Sequence, residues 1–242
     1  MRNTVSRIGR TSAANLFGKS AILFVLLGIY FVASGRPASA AEPVWVADSS
    51  GAFSIMATEA TVAGYRACVA AQACEIEQVN TVCNYSKDEL LDHPLNCVTY
   101  YGAEQYCSFV DARVCTESEW LGACGGSEAK QFPYGTTFDR GACNVGSVEQ
   151  TAAGRERGTS AAGSIESCEG GLSGLFDMAG NVSEWVDACK ETYCKFRGGS
   201  YLTNEPTERF AACSGVCSGN QKSLQSGTVG FRCCRDEMSL TP

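Results

Sequence analysis

Fifteen cysteines, all lying between Cys68 and Cys234, constrain this chain more than any other feature of its sequence. So dense a set is either a metal scaffold or a disulfide framework. Zinc sites need closely paired thiolates or histidines, yet no C-x-x-C occurs and His93 is the only histidine. Disulfides need an oxidising compartment, and the start of the chain points to one. Arg2, Arg7, Arg10 and Lys19 precede the apolar run Ala21 to Ala33, and Ala38-Ser39-Ala40 follows it. That order of basic start, short hydrophobic core and small-residue site is a secretory signal peptide, with cleavage expected after Ala40. The 13-residue apolar run is shorter than the roughly 20 residues that cross a bilayer as a helix. The expectation is therefore an exported protein, extracellular or periplasmic, with no membrane-spanning segment after cleavage. An odd cysteine count leaves one thiol free or joined to another molecule.

The segment 1–40 carries five of the 19 Lys and Arg and none of the 26 Asp and Glu, so residues 41–242 carry 14 against 26, a formal charge of about −12 with His93 neutral. Nucleic acid and anionic membranes both require a positive footprint, so neither is expected as a partner. About 200 residues suffice for one core, and no repeat or low-complexity linker divides them, so 41–242 reads as a single domain.

Val44, Val46, Phe53 and Ile55 alternate around the turn Ser49-Ser50-Gly51, which predicts extended chain over 41–57. Thr61 can cap a helix with Val62, Tyr65 and Val69 on one face, and Tyr100 to Val110 repeats at helical spacing. Thr116-Glu117-Ser118-Glu119 is a capping box that opens a third helix at Trp120 and Leu121. The remainder is loop-rich and glycine-rich, with short strands expected at Val182–Val186, Phe196–Leu202 and Val229–Cys233. The reading is α+β, helices early and strands late.

Four segments in order carry a resemblance: Arg113-Val-Cys-Thr-Glu-Ser-Glu-Trp120, Phe132-Pro-Tyr-Gly135, Gly174-Leu-Phe-Asp-Met-Ala-Gly-Asn-Val-Ser-Glu-Trp185, and Arg197-Gly-Gly-Ser-Tyr201 leading to Gly230-Phe-Arg-Cys233. Together they resemble the formylglycine-generating, or sulfatase-modifying-factor, family, a relative of the C-type lectin fold, over roughly residues 45 to 236. The resemblance implies two crosslinks, Cys107 with Cys233 and Cys124 with Cys213. Each closes a loop long enough to contribute on the order of 4 to 5 kcal/mol through chain entropy. Of the eleven other cysteines, Cys189 with Cys194 and Cys143 with Cys168 are the local expectations.

The same resemblance implies a structural calcium ion at Asp177, Gly180, Val182 and Glu184, with a second family site beginning at Asn144 and Val145 whose carboxylate position reads Arg155-Glu-Arg157. Calcium takes about six to eight oxygens, and two carboxylates with alternate main-chain carbonyls can begin such a shell. The plainer alternative gives Asp177 to its own turn and Glu184 to an arginine. Catalytic relatives hold copper between two cysteines placed five apart after the Gly-Gly-Ser turn. Here Ser200 keeps the turn, but those positions are Thr203 and Glu208, neither of which replaces a thiolate for Cu(I). Copper is not expected, and Ser183 stands where the family has an active-site tryptophan. His93, before Pro94, reads as a turn or packing residue, and no other catalytic signature is present. The expected function is a noncatalytic binding or structural module that receives a protein or peptide near Ser200, Thr203 and Glu208. Tyr193, Phe196, Tyr201 and Phe210 either line that groove or pack in the core. The alternative is a metal-dependent oxidoreductase that converts a cysteine of a protein substrate to formylglycine. Cys213 and Cys217 would then be the displaced metal ligands.

Overall fold

The structure, a computed structural model, describes residues 42–76, 80–146, 158–204, 207–216 and 218–237. The expected signal peptide, Arg155 to Arg157 and Cys217 lie outside the described residues. Strands β1 (Trp45–Ala47) and β2 (Phe53–Met56) form a hairpin around Asp48, whose carboxylate accepts from the backbone N–H groups of Ser50, Ala52 and Phe53. Helix α1 (Val62–Ala70) starts at Thr61, whose hydroxyl accepts from Gly64 N–H. Helix α2 (Tyr100–Phe109) starts the same way at Thr99. Strand β3 (Arg113–Val114) leads to α3 (Glu117–Gly125), where both arms of the Thr116/Glu119 capping box are formed.

After α3 the chain is loop and short strand: β4 (Glu169–Gly170), β5 (Leu172–Phe176), β6 (Ser183–Lys190), β7 (Tyr193–Arg197), β8 (Ser218–Gln221), β9 (Val229–Phe231) and β10 (Cys233–Asp236). One sheet has the order β1-β2-β10-β3 and a second β8-β7-β6-β9, with β6 and β9 parallel. The strand expected over Phe196–Leu202 begins earlier and ends at Arg197. Gly198 and Gly199 follow with φ of 92° and 69°, values that take the chain out of the pleat.

Three apolar clusters form the interior. Around α1, α2 and β9, Tyr65 stacks on Tyr106 at 6.0 Å and Tyr106 meets Phe231 edge-on at 5.4 Å. Trp185 is wedged between Tyr100 and Phe196, and its indole N–H donates to Val98 O at 3.0 Å. The adjacent Cys233 and Cys234 point to opposite faces of β10, as successive strand residues must. Cys233 bonds Cys107 of α2, and Cys234 bonds Cys115 ahead of α3. Cys124 of α3 bonds Cys213, and the remaining bridges are Cys68–Cys74, Cys83–Cys97, Cys143–Cys168 and Cys189–Cys194.

Candidate functional site

Two places carry the residues singled out by sequence: the turn before β6 and the turn after β7. The first is built on Asp177 and Asn181, both at positive φ, flanking Gly180 at φ 84°. A Cβ on Gly180 would come within 2.5 Å of Asn144 O, so this close approach requires glycine. The turn delivers Glu184 into the interior on β6, where it is fully buried. Its Oε2 accepts from Arg232 Nε at 2.7 Å and from the Trp120 indole N–H at 2.8 Å, while Oε1 accepts from Arg232 Nη2 at 2.8 Å. Arg232, also fully buried, donates in addition to Met56 O and Phe176 O. Burial works against its charge, but the Glu184 carboxylate holds the guanidinium above its ordinary pKa.

Asp177 Oδ2 accepts from Gly163 N–H at 2.6 Å. Beside it lies Glu59, which sequence reasoning did not single out. Glu59 is fully buried and neither of its oxygens meets a hydrogen-bond donor. Burial, then the Asp177 charge, pushes Glu59 well above the usual carboxylate range, and burial raises Asp177 as well. As arranged, the residues do not fit a calcium ion: both Glu184 oxygens already face protein donors, and the Arg232 guanidinium is the cation paired with them. No group of three or more His, Cys, Asp or Glu side chains poised for a metal occurs among the described residues. Val182 is buried in the core, and Asn144 donates to Gly158 O and to Asn181 Oδ1.

The second place is the Gly198-Gly199-Ser200 turn. Ser200 N–H donates to Thr203 Oγ1 at 2.9 Å, and Thr203 N–H returns to Ser200 O at 2.8 Å. Thr203 is buried, and its hydroxyl closes the turn. Glu208 opens a 3-10 turn to Phe210, and its Oε2 is buried with no partner among the described residues. From the other side, Arg197 donates to Glu117 and to Gly215 O, tying β7 to α3 and to the loop that contains Cys213. Cys213 is bonded to Cys124, so a Cys213–Cys217 thiolate pair is not available. Phe196 packs on Trp185, Arg209 lies over the Phe210 ring, and Tyr193 is largely exposed on β7. Tyr193, Phe196 and Phe210 thus have separate surroundings. His93 Nδ1 lies 2.9 Å from Thr159 Oγ1 in a turn, with no metal-ligating companion among the described residues.

Residues 21–237 match the family described as sulfatase-modifying factor enzyme 1-like domain. Among curated relatives, the serine/threonine-protein kinase Pkn1 of Chlamydia trachomatis is 31% identical over 166 residues, covering 60% of this chain and 24% of that one. The formylglycine-generating enzyme of Streptomyces coelicolor is 29% identical, covering 60% of this chain and 53% of that one. The inactive C-alpha-formylglycine-generating enzyme 2 of Bos taurus is 28% identical, covering 60% and 51%. The chain therefore spans about a quarter to a half of the length of these relatives. The solved structure of PvdO from Pseudomonas aeruginosa superposes with a TM-score of 0.61 at 19% identity, covering 76% of this chain and 80% of that one, a likeness of fold.

Proposed function

The chain belongs to the sulfatase-modifying factor enzyme 1-like domain family, and from that premise we propose that it is an exported, noncatalytic member that holds a protein or peptide beside Ser200, Thr203 and Glu208. The observation that carries this reading is the use made of Thr203. Where copper-dependent relatives place a thiolate, its hydroxyl is a turn-closing acceptor for Ser200 N–H. Glu208 offers a hard oxygen where Cu(I) requires a soft sulfur, and Cys213 is consumed in a disulfide. An intact scaffold whose reactive groups are gone is suited to binding, since function resides in the site and not in the fold. One bovine relative carries the name inactive C-alpha-formylglycine-generating enzyme 2.

The test is a Cu(I) titration of the oxidised protein, followed by incubation of the copper-treated protein with a cysteine-containing peptide under air and mass analysis of the peptide. The expected result is no stoichiometric Cu(I) uptake and an unchanged peptide cysteine. Uptake of one Cu(I) together with conversion of that cysteine to formylglycine would establish the oxidoreductase reading instead.

A further inference from the structure

We propose that the Cys189–Cys194 bridge is a thiol–disulfide exchange site, opened by a dithiol and closed again by a disulfide oxidant while the other described bridges stay intact. Cys189 and Cys194 face each other across β6 and β7, five residues apart in sequence, with Lys190 opposite Tyr193 beyond them. Residues 190–193 are the exposed tip of this hairpin. Of the fourteen bonded half-cystines among the described residues, thirteen are buried and Cys189 is the exception. Exchange requires a thiolate to reach a bridge sulfur, so access selects among bridges of like chemistry. Burial along the bridge also gives the attack a direction. Cys194 is fully buried, so attack comes from the side of Cys189 and expels Cys194.

The hairpin does not depend on this bridge for its pairing. Strand β6 also pairs with β9 over 183–185, and β7 pairs with β8 over 193–196. Lys222 N–H donates to Thr192 O and holds the tip from the β8 side. The bridge closes the shortest loop of the seven, so it restricts the unfolded chain least. Opening is therefore local: the strands stay paired and two thiols appear below the hairpin tip. One thiolate of the dithiol attacks Cys189 Sγ, the bond to Cys194 breaks, and Cys194 leaves with the electron pair and takes a proton. The second thiol of the dithiol then attacks the mixed disulfide and releases Cys189. The dithiol ends as a disulfide, and its two protons end on Cys189 and Cys194.

Differential alkylation tests this. Thiols already free in the native protein are blocked with N-ethylmaleimide, dithiothreitol is added without denaturant, and timed samples are quenched with iodoacetamide for peptide mass mapping. Cys189 and Cys194 are expected to be labelled roughly tenfold faster than Cys83 and Cys97, a bridge of 14-residue span with both ends buried. The circular dichroism spectrum should not change meanwhile, and glutathione disulfide should restore the bridge. Cys194→Ala should leave a Cys189 that forms a mixed disulfide with glutathione, whereas Cys189→Ala should leave Cys194 unmodified in the folded protein. Labelling of Cys189 and Cys194 no earlier than the other bridges, or only together with loss of the circular dichroism signal, overturns the proposal and makes the bridge a structural crosslink. Glutathione attachment to Cys194 as readily as to Cys189 overturns the direction of attack.

Discussion

Arg232 joins more of the molecule than any other single side chain described above. From the link between β9 and β10 it reaches Glu184 on β6, the last residue of β2 through Met56 O, and the end of β5 through Phe176 O. Removing one partner from such a buried pair leaves an uncompensated charge, which destabilises proteins by about 3–5 kcal/mol. Arg232→Met and Glu184→Gln are each expected to lower the Tm by about 6–20 °C, read by circular dichroism without reductant. Arg232→Lys should recover little of the loss, since an ammonium cannot match the two-point contact with Glu184. A change below about 2 °C in both single variants would show that the pair is incidental. Because the guanidinium occupies the Glu184 oxygens, chelation by EGTA is expected to leave the Tm within about a degree of its starting value. A fall reversed by added Ca²⁺ would instead restore Asp177, Gly180, Val182 and Glu184 as calcium ligands.

Between elements, Glu117 is the corresponding connector. In the first turn of α3 it accepts from Lys195 and Arg197 of β7, and Arg197 continues to Gly215 O. Partial burial pushes its pKa up, but the hydrogen bonds from Arg197 and Lys195 win, and the folded-state value lies below the ordinary 4.5. A carboxylate whose pKa is lower folded than unfolded adds stability above the unfolded pKa and loses it as the pH falls through the folded one. Denaturant unfolding from pH 6 down to pH 3 should therefore show wild-type stability falling more steeply below about pH 4.5 than that of Glu117→Gln. Parallel curves would mean that the contact adds nothing. What was legible at this scale was local. The Thr116/Glu119 capping box and the Thr61 cap were readable because donor and acceptor lie three residues apart. Strand β8, Ser-Gly-Asn-Gln, has no apolar alternation and exists through its pairing with β7, so nothing in its own composition announced it. The acids Asp177 and Glu184 stood out in sequence. Their environment did not, because Arg232 lies 48 residues from Glu184 and Glu59 is supplied by the β2–α1 connection.

For the molecule as a whole, the covalent network sets the scale. Seven bridges join the fourteen cysteines of the described residues in pairs. Three of them, Cys107–Cys233, Cys115–Cys234 and Cys124–Cys213, span 126, 119 and 89 residues, whereas Cys68–Cys74 spans 6. If the bridges act mainly by restricting the unfolded chain, the contribution of each as the sole crosslink should rank by span: about 5 kcal/mol for Cys107–Cys233 and about 2 kcal/mol for Cys68–Cys74. The vicinal arrangement adds a condition. Cys107–Cys233 and Cys115–Cys234 leave β10 on opposite faces and close nearly the same length of chain, so once one is present the other restricts an already short set of paths. Losing either alone should therefore destabilise less than half as much as losing both. Guanidinium unfolding of the paired Cys→Ser variants, followed without reductant, separates the possibilities. A super-additive loss for the two long bridges, with a small loss for Cys68–Cys74, identifies unfolded-state restriction as the origin. Additive losses for the two long bridges would place the effect in native packing around the half-cystines, where Cys107, Cys115, Cys233 and Cys234 are alike fully buried.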